Sequence, residues 1–255
     1  MVQKIPPSMT QSGLPPQYLV GLETSRDPVV PTKRIVVSPG SCRSQLDDTD
    51  IELTAGIMKR LDQNWAAGSG NGALDQGSLA ASTWYHLHVM QNPTTGAVDV
   101  LASGSLTNPA YPTGWEAAPS RRVWSVLTDA SANIVPYTQT EDWCAWGILE
   151  NQYGGNLGAS STVITMKSPI GFKCEVQFLI LTSGAGGGEI GLMDPDVGDP
   201  SLGRFYTVMI KQATLSSAYR GMVFTDVNGR TVGWADANIT SSVQTVGYRD
   251  TRGKR

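Results

Sequence analysis

The stretch Trp84-Tyr85-His86-Leu87-His88-Val89-Met90, followed by Asn92-Pro93-Thr94-Thr95-Gly96 and Ala97-Val98-Asp99-Val100-Leu101, decides the fold class. Side chains alternate across an extended strand, so Trp84, His86, His88 and Met90 share one face while Tyr85, Leu87 and Val89 share the other. The polar segment then reverses the chain, and the whole unit reads as a β-hairpin. Outward from it, from Tyr18 onward, short apolar or alternating runs recur between clusters of Gly, Pro, Asn, Asp and Ser. That rhythm belongs to an all-β sandwich or barrel, and helical patterning is nearly absent.

Residues 121–127, turning across 128–132 into 133–137, predict a second hairpin, with Pro136 confining the return strand to an edge. In the C-terminal half, Cys174, Val176, Phe178 and Ile180 alternate with Lys173, Glu175 and Gln177. Leu179 and Leu181 then make both faces apolar, which predicts a strand entering the core. Residues 205–211 form another expected strand, and 221–234 a third hairpin closed by Asn228-Gly229 in a type I′ turn. Ile57, Leu61 and Trp65 fall at i, i+4 and i+8, so 57–65 fits a helix or a strand followed by a turn. Residues 66–82 and 153–160 read as loops. The expected chain is all-β, with two jelly-roll-like β-sandwich domains at 17–142 and 143–255, long loops, and an extended Pro-rich arm at 1–16.

A chain of 255 residues with 40% hydrophobic side chains buries a core without disulfide or metal staples. Its 28 glycines and 15 prolines make turns frequent without reaching the composition of disordered chains. The net charge of −3 and pI of 5.4 supply no basic field for a phosphate backbone, which argues against nucleic acid as a partner. The N-terminus lacks the apolar run of a secretory signal, and no apolar stretch approaches the ~18 residues of a membrane span, so no membrane insertion is expected. Cys42, Cys144 and Cys174 are odd in number and far apart, the pattern of small buried hydrophobes in a protein made in reducing cytoplasm.

Catalytic chemistry is sparse. His86 and His88 share a strand face and would bind a transition metal if a third ligand faced them, but Met90-Gln91-Asn92 adds no carboxylate. A packed histidine pair is favoured. Residues 186–191 match GxGxxG after an apolar strand, yet the prolines and aspartates at 194–200 prevent the helix that a dinucleotide needs. Asp47, Asp48 and Asp50, and Asp194, Asp196 and Asp199, offer oxygen ligands without EF-hand spacing and read first as solvated loops. No nucleophile elbow or Walker loop occurs, so no catalytic, metal or cofactor-binding residue is assigned and no cofactor is expected. Among the seven tryptophans, Trp115 in a polar loop and Trp143 and Trp146 at the domain boundary are the candidates for contact surfaces. Pro6, Pro7, Pro15 and Pro16 of the arm are candidates for docking on a neighbour, as are Arg252 and Arg255 of the basic C-terminus, where a frayed end is the plain alternative.

Taken together, these residues resemble a family of tailed-bacteriophage virion proteins found in tail fibres and tail-tip or baseplate attachments. The resemblance rests on Tyr18-Leu19-Val20-Gly21-Leu22, on Pro39-Gly40-Ser41-Cys42-Arg43-Ser44 with Asp50-Ile51-Glu52-Leu53, and most specifically on Lys59-Arg60-Leu61-Asp62-Gln63-Asn64-Trp65-Ala66-Ala67-Gly68 with Gly72-Ala73-Leu74-Asp75-Gln76-Gly77-Ser78. It continues through Trp84-Tyr85-His86, Pro112-Thr113-Gly114-Trp115 and Arg121-Arg122-Val123-Trp124-Ser125. It closes on Val246-Gly247-Tyr248-Arg249-Asp250-Thr251-Arg252-Gly253, where Tyr248 stands in a position more usually Trp.

The resemblance implies a non-enzymatic structural role in particle assembly and host adsorption, a homotrimer, other virion tail subunits as partners, and location in the virion after assembly in the bacterial cytoplasm. Two binding alternatives are a glycan-binding receptor-recognition module, using Trp115 or another exposed aromatic, and a head-fibre or decoration protein. A polysaccharide depolymerase is the enzymatic alternative.

Overall fold

The computed structural model describes residues 13–116, 118–158, 161–184, 188–197, 208–212 and 216–254. Every regular element among them is a β-strand, in several sheets with sandwich-like architecture. The chain divides into two compact units, Met1–Glu141 with Thr251–Arg255, and Asp142–Asp250. Among the described residues no helix is long and apolar enough to cross a membrane.

The first unit contains β1 (Leu19–Gly21), β2 (Thr24–Arg26), β3 (Arg34–Val37), β4 (Gly40–Arg43), β5 (Asp50–Leu53), β6 (Ile57–Asn64), β7 (Gly72–Leu74), β8 (Trp84–Gln91), β9 (Val98–Ser103), β10 (Ser120–Leu127) and β11 (Tyr137–Thr140). A small sheet runs β1-β4-β5 and a large one β10-β8-β9-β7-β6-β3-β2. The hairpin read from the sequence is β8–β9, in register from Gln91↔Val98 to His86↔Ser103. Apart from its ends β8 is buried on both faces, and burying Leu87 and Val89 completely contributes roughly 1.5–3 kcal/mol each.

One open reading is decided and two local expectations change. Of the helix and the strand that the sequence allows at 57–65, residues 57–64 form the strand β6, in which Ile57, Lys59 and Leu61 alternate inward. The glycine-rich loop after it contains β7, which slots parallel between β6 and β9. Only glycine fits at position 72, since a Cβ there would lie 2.0 Å from the Asn64 carbonyl oxygen. The second hairpin shrinks to a single bridge, Thr128↔Ile134, because the Asp129 carboxylate accepts the Ser131 and Asn133 amides and curls the chain into a tight turn. The chain regains a strand at β11, which is anchored by Thr24: its amide donates to Gln139 Oε1 (2.7 Å) and its hydroxyl meets the Tyr137 hydroxyl (2.9 Å).

Lys59 is the exception in the core of this unit. It points inward from β6, fully buried, and its Nζ lies 3.0 Å from Asp99 Oδ1 on β9. The ammonium also donates to the carbonyls of Ala66 (2.8 Å) and Gly68 (3.3 Å) and sits 5.4 Å from the Trp65 ring centre. Asp99 in turn accepts the amides of Gly68 (2.7 Å) and Val100 (2.6 Å). The ion pair thereby folds the 66–72 loop over itself.

The C-terminal residues return to this unit, so the domain expected at 143–255 ends at Asp250. Arg252 is buried; its Nη2 donates to the carbonyls of Gly21 (2.6 Å) and Leu22 (2.8 Å) and its Nε to that of Val123 (3.2 Å). Gly21 and Leu22 both have left-handed φ, +66° and +53°. Val123 is the extra residue at a register shift in β10. Arg252 therefore takes up carbonyls at two irregular points of the backbone, replacing the frayed end expected from the sequence.

The second unit contains β12 (Trp143–Trp146), β13 (Asn151–Gly155), β14 (Thr162–Thr165), β15 (Glu175–Gly184), β16 (Gly188–Met193), β17 (Val208–Gln212), β18 (Ser216–Phe224), β19 (Arg230–Ala235) and β20 (Ile239–Arg249). One sheet runs β12-β20-β15-β18, with β13 also pairing β20, and the other β14-β19-β16-β17. Residues 188–191 of the GxGxxG match lie in the strand β16, and 186–187 lie outside the described residues. Residues 153–155 of the loop expected at 153–160 belong to β13.

The Asn228-Gly229 turn differs from expectation. Gly229 has φ +72° while Asn228 stays negative, so a type I′ turn does not form. Asp226 organises the turn by accepting the Asn228 and Arg230 amides (both 2.8 Å) and pairing with the Arg230 guanidinium (2.7 Å). The two strands then part: β18 pairs β15, whereas β19 joins β14 and β16.

Removing one partner of the buried pair is expected to cost about 3–5 kcal/mol, because the other charge stays behind without compensation. Lys59→Met and Asp99→Leu should each lower the denaturation midpoint sharply. The double variant should lose much less than the sum, as measured in a double-mutant cycle of urea unfolding.

Candidate functional site

The first unit carries a cavity of about 440 Å³ where β7 and β9 end and β8 begins. It arises from the insertion of β7. Leu74 pairs in parallel with Ala102, so Asp75 and Ser103 leave the sheet side by side, and the Asp75 amide donates to the Ala102 carbonyl at 2.9 Å. Ser103 Oγ donates to Asp75 Oδ2 at 2.5 Å, and the amide of Ala110 reaches the same oxygen at 3.1 Å. Asp75 Oδ1 has no hydrogen-bond partner among the described residues, and Asp75 lines the cavity together with Gln76, Tyr85, Ser105 and Asn108.

The walls are tied down. Ser103 Oγ accepts the Ser105 amide (2.9 Å), and Ser105 Oγ accepts the Asn108 amide (3.0 Å). Opposite, the Tyr85 hydroxyl accepts the Ala80 amide (2.8 Å), and Thr128 Oγ1 donates to the Ala80 carbonyl (2.7 Å). Such a cavity is formed before any ligand arrives, which lowers the ordering cost of binding.

The histidine pair supports this wall. His88 is buried and its Nε2 lies 3.3 Å from the Ser105 carbonyl, which requires the proton on Nε2. Burial, reinforced by the Arg122 charge, pushes its pKa down to about 4. His86 Nδ1 meets Ser125 Oγ at 2.9 Å, and Ser125 Oγ also accepts from Arg122. Among the described residues no group of three or more His, Cys, Asp or Glu is placed to hold a metal ion.

The other candidate residues disperse. Trp115 is not an exposed contact residue: it packs with Met90, Leu101 and Ala118, and its ring meets that of Trp65 edge-on at 5.3 Å. The prolines around it fold the loop back and bury the indole. Trp146 is likewise buried, donating from Nε1 to the Lys167 carbonyl (2.9 Å) beneath the Lys167 ammonium. Trp143 is half-buried across Gly247, where a Cβ would come within 2.6 Å of the indole. Pro15 and Pro16 are exposed at a turn in which the Tyr18 amide donates to Pro15. Pro6, Pro7 and Arg255 lie outside the described residues, as do Asp199 and residues 205–207 of the strand expected at 205–211, whose remainder lies in β17.

The acidic clusters are neutralised from within. Asp194 and Asp196 share the Lys173 ammonium at 3.1 and 2.7 Å. Asp50 pairs with Arg43 (2.8 Å), Asp48 with Ser44 (2.5 Å), and Asp47 accepts the Gln17 amide (2.7 Å). All three cysteines are buried without disulfides, and burial pushes the Cys42 thiol up to about 11, so it stays protonated at neutral pH.

Sequence reasoning missed Asp75, Ser105 and Asn108. Their only local signal is that Asp75-Gln76-Gly77 breaks the chain directly after the apolar Leu74. No family model matches the chain, and no curated protein matches it.

The depressed His88 pKa makes a signed prediction. The unfolded imidazole takes up its proton near pH 6.5 and the folded one only near 4, so stability is complete above pH 6.5 and falls between those values. The loss by pH 4 is on the order of 3 kcal/mol. Urea unfolding at pH 7.5, 5.5 and 4.5 should show it, and His88→Gln should flatten that limb.

Proposed function

We propose that the chain is a non-enzymatic structural protein of a tailed-bacteriophage virion, a tail-fibre or tail-tip and baseplate component that acts through contact with sister and neighbouring subunits. The observation that carries this reading is the outward face of β15 and β18. The register Gln177↔Met222, Glu175↔Phe224 and Leu181↔Ala218 sets Leu179, Leu181, Met222 and Phe224 on the face opposite the buried Phe178 and Ile180. Leu181 and Phe224 are 42% and 46% exposed there. The sequence pattern announces a strand buried on both sides. Glu175, Gln177 and Arg220 share that face, so its apolar side chains stand among polar ones, the mixed composition of a contact surface between proteins.

The segments that carry the family resemblance support the same reading. Lys59, Trp65 and Gly68 form the ion-pair core, and Arg121–Trp124 with Arg252 closes the first unit. These motifs build a scaffold, as a structural family would require. The glycan-binding alternative loses Trp115 as its exposed aromatic, because that ring is buried.

The test is made on particles from the bacterium that carries the gene. The chain should be found in purified virions and located in their reconstruction, and the recombinant protein should be a trimer by light scattering. Removing residues 1–16 should abolish incorporation while the protein stays folded. A monomer absent from particles, or cleavage of host polysaccharide at substoichiometric protein, would refute the proposal.

A further inference from the structure

We infer that the cavity bounded by Asp75, Tyr85 and Asn108 is a binding site for a neutral pyranose, one sugar ring of a larger glycan or a free saccharide. The inference rests on the geometry of the first unit and does not require the virion reading. At about 440 Å³ the cavity falls toward the small end of ligand sites, a size suited to one or two sugar rings.

Its polar groups are arranged as acceptor and donor side by side. Asp75 Oδ2 is occupied by Ser103 and Ala110, which leaves Oδ1 as the carboxylate oxygen without a bond to any described residue and free to accept from a ligand. The carboxamides of Gln76 and Asn108 line the same space with no hydrogen bond to any described residue, and each brings an NH2 donor and a carbonyl acceptor. A vicinal diol matches this set: one hydroxyl donates to Asp75 Oδ1 while its neighbour accepts from a carboxamide. Tyr85 and Pro109 are both buried and back the cavity with a rigid wall.

Charge narrows the class further. Among the described residues Asp75 is the only ionised side chain lining the cavity, so anions such as phosphates or dicarboxylates meet a repelling field and no cation among them. A single carboxylate is also too few ligands for a hard divalent ion. A hydroxyl-rich neutral ligand uses every group present.

The full-length protein is tested by saturation-transfer NMR with methyl α-glucopyranoside, methyl β-galactopyranoside and methyl N-acetyl-β-glucosaminide, and with ethanolamine as a cationic control. Probes at about 10 mM report dissociation constants near 1 mM. At least one pyranoside is expected to receive saturation. Asp75→Asn keeps an acceptor for Ser103 and Ala110 but replaces Oδ1 with a donor, and should weaken that pyranoside roughly tenfold or more. Asn108→Ala, which removes an exposed side chain with no bond to the fold, should weaken it as well and keeps the test valid if Asp75→Asn unfolds. Silence from all three pyranosides, equal binding by both variants, or displacement of the sugar by ethanolamine would overturn the inference. None of those results bears on particle incorporation, so the two readings fail separately.

Discussion

A charge placed inside a protein must find its complement there, and the ammonium of Lys59 is such a charge. From β6 it reaches Asp99 on β9, and the carbonyls of Ala66 and Gly68 complete its coordination. A chain with bulky side chains would not bend into that arc. The glycine-rich segment does, and its course delivers Gly72 against the Asn64 carbonyl so that β7 enters the gap between β6 and β9. The parallel pairing of β7 with β9 then brings Asp75 beside Ser103. The cavity is thus a downstream consequence of one buried ion pair.

The same logic explains how the first unit tolerates its irregular backbone. Two left-handed residues, Gly21 and Leu22, and the extra residue of β10, Val123, leave carbonyls that the ladders do not use, and one guanidinium from the C-terminus takes all three. Arg121 closes the circuit by donating from Nε to the Arg252 carbonyl. A lysine has neither the fork nor the reach to serve these positions together. Interior polarity in this unit is architectural, and the groups left over for binding stand at its rim.

That division between a committed interior and available surfaces shapes the functional picture. His86, His88 and Asp194, each a candidate ligand when read alone, have burial or hydrogen bonds that give them structural roles. What faces outward is the apolar strip of β15 and β18 and the polar cavity behind Asp75. One suits a protein surface and the other a hydroxylated small ligand.

Local alternation was enough to identify the longer strands such as β8, β9 and β15, while β7 and part of β13 read as loops. The period-two pattern at 84–90, the polar turn and the apolar return specified the β8–β9 hairpin, because side-chain direction along a strand is a property of neighbouring residues. The all-β class followed from the same rhythm, and the broken GxGxxG match was legible from the prolines after it. Tertiary structure decided the rest. Whether 57–65 coils or extends depends on Asp99, more than thirty residues away, which gives Lys59 its partner. The Asn228-Gly229 turn was visible, but its strands join different sheets, an outcome set by long-range pairing. Trp115 and Trp146 read as contact residues and became core, and Leu181 read as core and became surface, since burial depends on which segments come back to cover a face. Hydrophobic period states which residues point together; only the assembled chain states which side is wet.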